Sequence, residues 1–191
     1  LERIPTSVVV SGGRGAGTVP AAVLGIATHL VISSLDLKQP VTLDGIERTR
    51  DRLVGEGAIP QNVADRVDVR AILAFFEGDL GRIACDSRNT VWQEWPFTFG
   101  LPAREVAGAT TQEDNEIVVV QGVIDLLVQT PDGLLVIDFK TDGVSGPRVA
   151  ERVELYRGQL DLYAKATSAI CGQRVLERWL YFLTPRQAVQ V

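Results

Sequence analysis

At 191 residues, 46% of them hydrophobic and 23% charged, the chain has the make-up of a soluble globular domain able to bury a core. A net charge of −5 argues against a free-standing DNA-binding protein, whose affinity comes largely from lysine and arginine. No apolar run approaches the roughly 18 residues of a membrane span, and Leu1-Glu-Arg-Ile-Pro lacks the basic and apolar segments of a secretory leader.

A cytoplasmic protein without membrane contact is therefore expected. Its first residue is leucine and it contains no methionine, which reads as a piece of a longer chain. Cys85 and Cys171 have no cysteine neighbours, so a zinc site or an iron–sulfur cluster built by this chain alone is not expected. Two buried thiols in a reducing compartment are the expectation. His29 is the only histidine, which rules out a two-histidine metal motif.

Residues 1–20 read as a flexible glycine-rich connector; the Gly-Lys-Ser/Thr ending of a phosphate-binding loop is missing. From Ala21 to about Leu37 a nearly continuous apolar helix is expected. It is interrupted by His29, with Gly25 one turn earlier on the same face, where a backbone or a ligand can come close. Residues 44–56 and 61–84 predict further helices, the first capped by Asp44 and the second opened by Pro60-Gln-Asn62. They read as a cover or spacer without chemistry of their own.

Strand signals begin at Thr90–Phe99, dense in aromatic and β-branched residues, with Pro96 pointing to an edge or a bulge. Glu94 within it reads either as an exposed strand residue or as one aimed into a site. A polar loop at 110–116 precedes a hairpin over residues 117–140, turned at Pro131-Asp132-Gly133. After a Gly/Ser/Pro turn comes a helix from Arg148 to Ile170. Its apolar stripe is Val149, Val153, Tyr156, Leu160, Tyr163, Thr167 and Ile170. A last strand covers 174–183. This order predicts an α/β fold, a mixed sheet whose fourth strand arrives through a crossover helix.

The hairpin carries charges where burial should forbid them. Asp125 stands inside Val-Ile-Asp-Leu-Leu-Val, and Asp138 and Lys140 end Leu-Leu-Val-Ile-Asp-Phe-Lys. An ionised carboxylate in such a run is costly unless paired or bound to a metal. Asp138 and Lys140 share a strand face. Asp125 joins them if the turn has an even number of loop residues; a three-residue loop with a bulge turns it away unless another irregularity corrects the phase. Converging aspartates would suit Mg²⁺ or Mn²⁺. Such a cation polarises a phosphate oxygen and acidifies an attacking water, and the lysine orients that water or offsets developing charge.

Gly122-Val-Ile-Asp125, Val136-Ile-Asp138-Phe-Lys140-Thr-Asp142 and Tyr156-Arg-Gly-Gln159-Leu-Asp-Leu-Tyr163 closely resemble the motifs of RecB-type nucleases of the PD-(D/E)xK superfamily. Gly25-Ile-Ala-Thr-His29 resembles the upstream Gly-x-x-x-His motif of that family, and Glu94-Trp-Pro-Phe its Glu-x-Pro-Phe strand. The likeness runs from about Gly25 to Leu183 and is greatest to AddA-type domains of bacterial helicase–nucleases. It implies a restriction-endonuclease-like core at 90–191 behind a helical region at 21–89, together one nuclease domain in the bacterial cytoplasm.

By the same resemblance His29, Asp125, Asp138 and the Phe139 main-chain carbonyl would bind the metal, and Lys140 would be catalytic. Gln159, Tyr163 and Tyr156 would be motif residues near the DNA. Gln93 stands where the family favours arginine, so Glu94 is left out of the catalytic set. The implied activity is that of a metal-dependent exodeoxyribonuclease. It would cut single strands delivered by helicase domains, beside a second subunit, in double-strand-break processing and recombinational repair. ATP would enter only through a helicase region outside this sequence. The alternative is a nuclease-fold module that binds DNA ends or a partner without cutting.

Overall fold

The computed structural model describes residues 19–103 and 116–191. The expected connector at 1–20 and polar loop at 110–116 lie almost wholly outside them. Among the described residues, six helices and five strands follow in the order α1 (Ala21–Ser33), α2 (Leu43–Gly55), α3 (Gln61–Ala64), α4 (Val69–Glu77), α5 (Asp79–Ala84), β1 (Thr90–Pro102), β2 (Ile117–Gln129), β3 (Leu134–Lys140), α6 (Arg148–Cys171), β4 (Val175–Phe182) and β5 (Gln187–Gln190). The sheet order is β1-β2-β3-β4-β5, antiparallel throughout except for β3 beside β4. Helix α6 is the crossover between that parallel pair, which cannot be joined by a tight hairpin. The result is the expected α/β architecture, a mixed sheet between two helical layers.

Each layer has its own core. On one face Phe75 and Ile72 of α4, Ile46 of α2 and Val31 of α1 meet Leu126, Val128, Ile137 and Phe139. On the other, Val149, Val153, Leu160 and Tyr163 of α6 meet Leu134, Val136, Leu180 and Phe182. Strand β3 therefore contributes to both cores, and every residue from Leu134 to Phe139 is buried. That is the continuous apolar run expected of a strand covered on both sides.

Several local expectations are corrected. Thr42, not Asp44, caps α2: its hydroxyl accepts the Gly45 amide at 3.1 Å, while exposed Asp44 pairs with Arg48. The single helix expected over 61–84 is three helices. Asp68 accepts the Ala71 amide at 2.9 Å and starts a new helix, and Gly78 in extended conformation separates α4 from α5. A side chain that satisfies free helix-end amides is worth roughly 1 kcal/mol, enough to restart a helix inside an apolar stretch. Strand β5 was not expected; it is short and half-polar, so period-two patterning has little to act on. At the end of α6 Ile170 is 46% exposed, and Cys171 is exposed as well. Pro96 does lie on an edge strand, β1. No helix among the described residues is long and apolar enough to cross a membrane.

Candidate active site

The site grows out of a fork between β2 and β3. The two strands pair from Gln129 opposite Leu134 to Leu126 opposite Ile137. The turn thus holds an even number of residues, tied by the Thr130 hydroxyl to the amides of Asp132 and Gly133. With this parity Asp125 falls opposite Asp138. Ladder pairing stops there, and Asp125 Oδ2 takes the Phe139 amide at 2.7 Å. One carboxylate oxygen thereby satisfies an amide that the splayed strands leave without a partner.

On its other side β2 is paired with β1, and Glu94 lies opposite Asp125 between the pairs Gln93–Leu126 and Trp95–Ile124. Glu94 has φ +50°, a left-handed conformation in mid-strand that costs a residue with a Cβ on the order of 1 kcal/mol. Trp92 and Trp95, three apart, pack against the α6-side core, and Ile124 and Leu127 are buried in it. Both strands slip phase at the same point, so their register is unchanged on either side. Glu94 and Asp125 sit where the two faces of the sheet exchange, open to the α1 layer.

His29 comes from the α1 layer. A Cβ at Gly25 would lie 2.9 Å from Thr141 Oγ1, so glycine is what lets α1 close on the end of β3. One turn later His29 Nδ1 reaches 3.1 Å from Asp125 Oδ1. Ligand atoms of His29, Glu94 and Asp125 all lie within 4.8 Å of one another. Burial works against protonating His29, but its hydrogen bond to Asp125 and the charges of Asp125, Asp138 and Glu94 outweigh it and raise its pKa. Burial and the charge of Asp125 raise the Glu94 pKa, with His29 opposing. Phe139 anchors the strand beneath, its ring 4.7 Å from that of Phe75 and edge-on to His29.

The α6 layer supplies the other half. Lys140 Nζ lies 2.7 Å from Asp138 Oδ2, donates to Gln159 Oε1 at 3.3 Å and stands 3.8 Å from the centre of the Tyr156 ring. Gln159 Nε2 donates to the Tyr163 hydroxyl at 2.6 Å, and the Tyr156 hydroxyl donates to Asp142 Oδ2 at 2.9 Å. Tyr163 can come this near because β2 has Gly122 beneath it: a Cβ there would meet Phe97 at 2.8 Å and Tyr163 at 3.2 Å. Asp138 Oδ2 is buried, with the Lys140 ammonium 2.7 Å away as its charged neighbour. Burial, then the charge of Asp125, pushes Asp138 up to about 6, against the pull of Lys140 and His29.

Three carboxylates in a row across three strands and one imidazole, with ligand atoms of His29, Glu94 and Asp125 within 4.8 Å of one another, make a donor set suited to a divalent cation. Oxygen ligands favour Mg²⁺ or Mn²⁺, and a single nitrogen does not exclude either. Residues 9–190 match the sequence pattern of the PD-(D/E)XK nuclease superfamily.

The chain belongs to the PD-(D/E)XK nuclease superfamily.

Its relatives include proteins described as subunits of an ATP-dependent helicase/nuclease. The chain is 40% identical over 167 residues to the one from Lacticaseibacillus casei, 87% of this chain and 13% of the relative. It is 36% identical over 170 residues to the one from Carboxydothermus hydrogenoformans, 89% of this chain and 14% of the relative. With that of Thermoanaerobacter sp. it shares 38% identity over 181 residues, 94% of this chain and 14% of the relative. The chain thus spans about one seventh of the length of these helicase/nuclease relatives.

Every residue singled out from the nuclease motifs lies at this fork. His29, Asp125 and Asp138 line it, with Phe139 between the layers, and Lys140, Gln159, Tyr163 and Tyr156 form the α6 side. The membership of the acidic group differs from the motif reading in one respect. Glu94, left out from the sequence, joins His29 and Asp125, whereas Asp138 lies against Lys140. Register could have pointed to Glu94, since it stands opposite Asp125, but a left-handed residue in a strand leaves no mark in hydrophobic alternation.

Proposed function

We propose that this fork is the metal-dependent active centre of a deoxyribonuclease acting as an exonuclease within a longer helicase–nuclease. In this reading His29, Asp125 and Asp138 hold a divalent cation, Mg²⁺ with Mn²⁺ as a substitute, joined by the Phe139 main-chain carbonyl, and Glu94 adds a further carboxylate at the open side. The cation supplies Lewis-acid polarisation of the scissile phosphate and of an attacking water.

The chain's own residues do the rest. Asp125 accepts from the Phe139 amide and so fixes the Asp138–Phe139 peptide just ahead of Lys140. Lys140 beside Asp138 orients the attacking water, helps take its proton, and offsets charge gathering on the phosphate. Gln159 and Tyr163 form a hydrogen-bonded relay from α6 that holds the lysine and faces the strand to be cut.

The observation that carries the proposal is the gathering of His29, Glu94 and Asp125 ligand atoms within 4.8 Å where β2 and β3 part, with Asp138 and Lys140 paired on the neighbouring strand. The substrate is DNA, single-stranded and delivered by helicase domains. The setting is end processing at double-strand breaks in the bacterial cytoplasm, alongside a second subunit. The similarity to helicase/nuclease subunits of much greater length supports this, as does the acidic charge, since other domains must then bring the strand.

The test is cleavage of end-labelled single-stranded DNA with Mg²⁺ by the full-length protein and by its Asp138→Ala and Lys140→Ala variants. Loss of cutting in both, with folding retained, is expected. Cutting that survives either substitution at the wild-type rate overturns the assignment. A wild-type protein that binds DNA ends and never cuts them would favour the non-cleaving alternative.

A further inference from the structure

Lysine has a long flexible stem and three donors, so an ammonium at a strand end has many places to go. Lys140 is confined on three sides: Asp138 Oδ2 at 2.7 Å, Gln159 Oε1 at 3.3 Å and the Tyr156 ring at 3.8 Å from its centre. The first two are polar groups that a reacting phosphate and its counter-ion can compete for. The ring is not. A cation over an aromatic face is held by the negative quadrupole of the ring, more firmly where water is excluded. The Lys140 side chain is only 13% exposed.

The ring is itself fixed. Tyr156 stands on α6 one turn before Gln159, and its hydroxyl donates to Asp142 Oδ2 at 2.9 Å. Arg152, one turn earlier on α6, brings Nε to 3.8 Å from the same oxygen. Asp142 lies two residues beyond Lys140, and its carbonyl accepts the Val144 amide at 2.8 Å. The segment that carries the lysine therefore also carries the anchor for the ring that covers it. With its hydroxyl on Asp142 and one face on Lys140, Tyr156 has neither of these free for a nucleotide.

Resting on the nuclease reading above, we infer that Tyr156 is the positioning residue of Lys140, its ring holding the ammonium beside Asp138 and the Asp142 bridge holding the ring. Tyr156 thus acts through the lysine and not on DNA. Its two halves have separate tasks: the ring confines the charge, and the hydroxyl keeps the ring in place.

The experiment uses the full-length protein with Mg²⁺ and labelled single-stranded DNA, comparing Tyr156→Phe, Tyr156→Leu, Lys140→Ala and the Tyr156→Leu/Lys140→Ala double variant. Tyr156→Leu is expected to lower kcat roughly tenfold, with KM for DNA, Mg²⁺ affinity and Tm unchanged. Tyr156→Phe keeps the ring and should retain most of kcat. In the Lys140→Ala background the leucine should cost nothing further, as required of two residues that act as one unit.

A Tyr156→Leu defect confined to KM, a phenylalanine as damaging as leucine, or a full additional loss in the Lys140→Ala background would each overturn the inference. A fall in Tm and metal affinity that tracks kcat would overturn it in favour of a structural role. If Lys140→Ala leaves no measurable rate, the difference between phenylalanine and leucine decides. Wild-type cutting by Lys140→Ala is a different outcome, which sinks the catalytic reading of the lysine itself.

Discussion

On the α1 side of the fork, His29, Glu94 and Asp125 bring ligand atoms within 4.8 Å of one another, and the group reaches solvent through Glu94. On the α6 side, Lys140 is enclosed by Asp138, Gln159 and Tyr156, and the last two are bonded onward to Tyr163 and Asp142. The first side gathers two carboxylates around one imidazole. The second is internally satisfied. A group of acceptors that repel one another is stable only with a positive partner, whereas a lysine with three neighbours needs none. The α1 side is thus built to take something up, and the α6 side to stay as it is.

Breaking the α6 side should have the largest effect on rate and the least on metal binding. Lys140→Ala is expected to lower kcat by on the order of 10²–10³ while leaving Mn²⁺ affinity, read by calorimetry, close to wild type. Breaking the α1 side should do the reverse. His29→Ala is expected to weaken Mn²⁺ binding by on the order of tenfold or more, and unchanged affinity would return the imidazole to a packing role. A comparable loss in Glu94→Gln would place the left-handed glutamate among the ligands.

Much of this contrast is readable from the chain alone. Asp125, Asp138 and Lys140 are conspicuous because apolar β-branched neighbours make their charges expensive, and α6 announces itself by its stripe. What escapes the sequence is set by backbone angles and by partners far along the chain. Glu94 stays undecided between an exposed strand residue and a site residue until its φ of +50° and its place opposite Asp125 are known. The parity of the turn at Thr130–Gly133 decides whether Asp125 faces the site at all, and Pro-Asp-Gly fits turns of either parity. Asp68 starts a helix and Gly78 ends one inside a stretch whose apolar pattern runs on without interruption. Tyr156 reads as one more member of a buried stripe, while its ring covers a lysine.

A finer test concerns how closely α1 must approach. Gly25→Ala puts a Cβ against Thr141 Oγ1, and it should weaken Mn²⁺ binding severalfold by lifting His29 away from Asp125. Thr141→Ala should restore affinity in the double variant, because the obstructing oxygen is gone. If alanine at 25 is silent, the closeness of the helix is not what sets the imidazole.

The smallest effect is one of stability and pH. Asp138 has a folded pKa of about 6, above its ordinary 3.8, because burial and Asp125 disfavour its charge. A raised carboxyl pKa means that the folded state holds its proton more tightly than the unfolded state. Its contribution is complete below pH 3.8 and is lost as pH rises through about 6. At pH 7 without metal, Asp138→Asn should therefore raise Tm, by about 2–4 °C for each kcal/mol relieved, and the gain should shrink toward pH 4. Metal affinity of the wild type should fall as pH drops through 6, since the proton and the cation compete for one carboxylate. A Tm lowered by Asp138→Asn at pH 7 would show that the Lys140 pairing outweighs burial.

The matched phase slip in β1 and β2 has a consequence for how this domain tolerates change in length. Because Glu94 and Asp125 deviate together, the pairing from Trp95–Ile124 out to Pro102–Ile117 continues in the register set near the turn. Residues removed or added as facing pairs along that outer ribbon shift nothing on the inner side, where Leu126 to Gln129 are locked to β3. A single unpaired insertion is different, since it breaks the facing register beyond it, and even one whole rung turns the outer side chains to the opposite face, so that rungs must be added in twos. The ribbon is therefore a place where a foreign hairpin can be grafted in pairs of rungs, with the carboxylates left where they are.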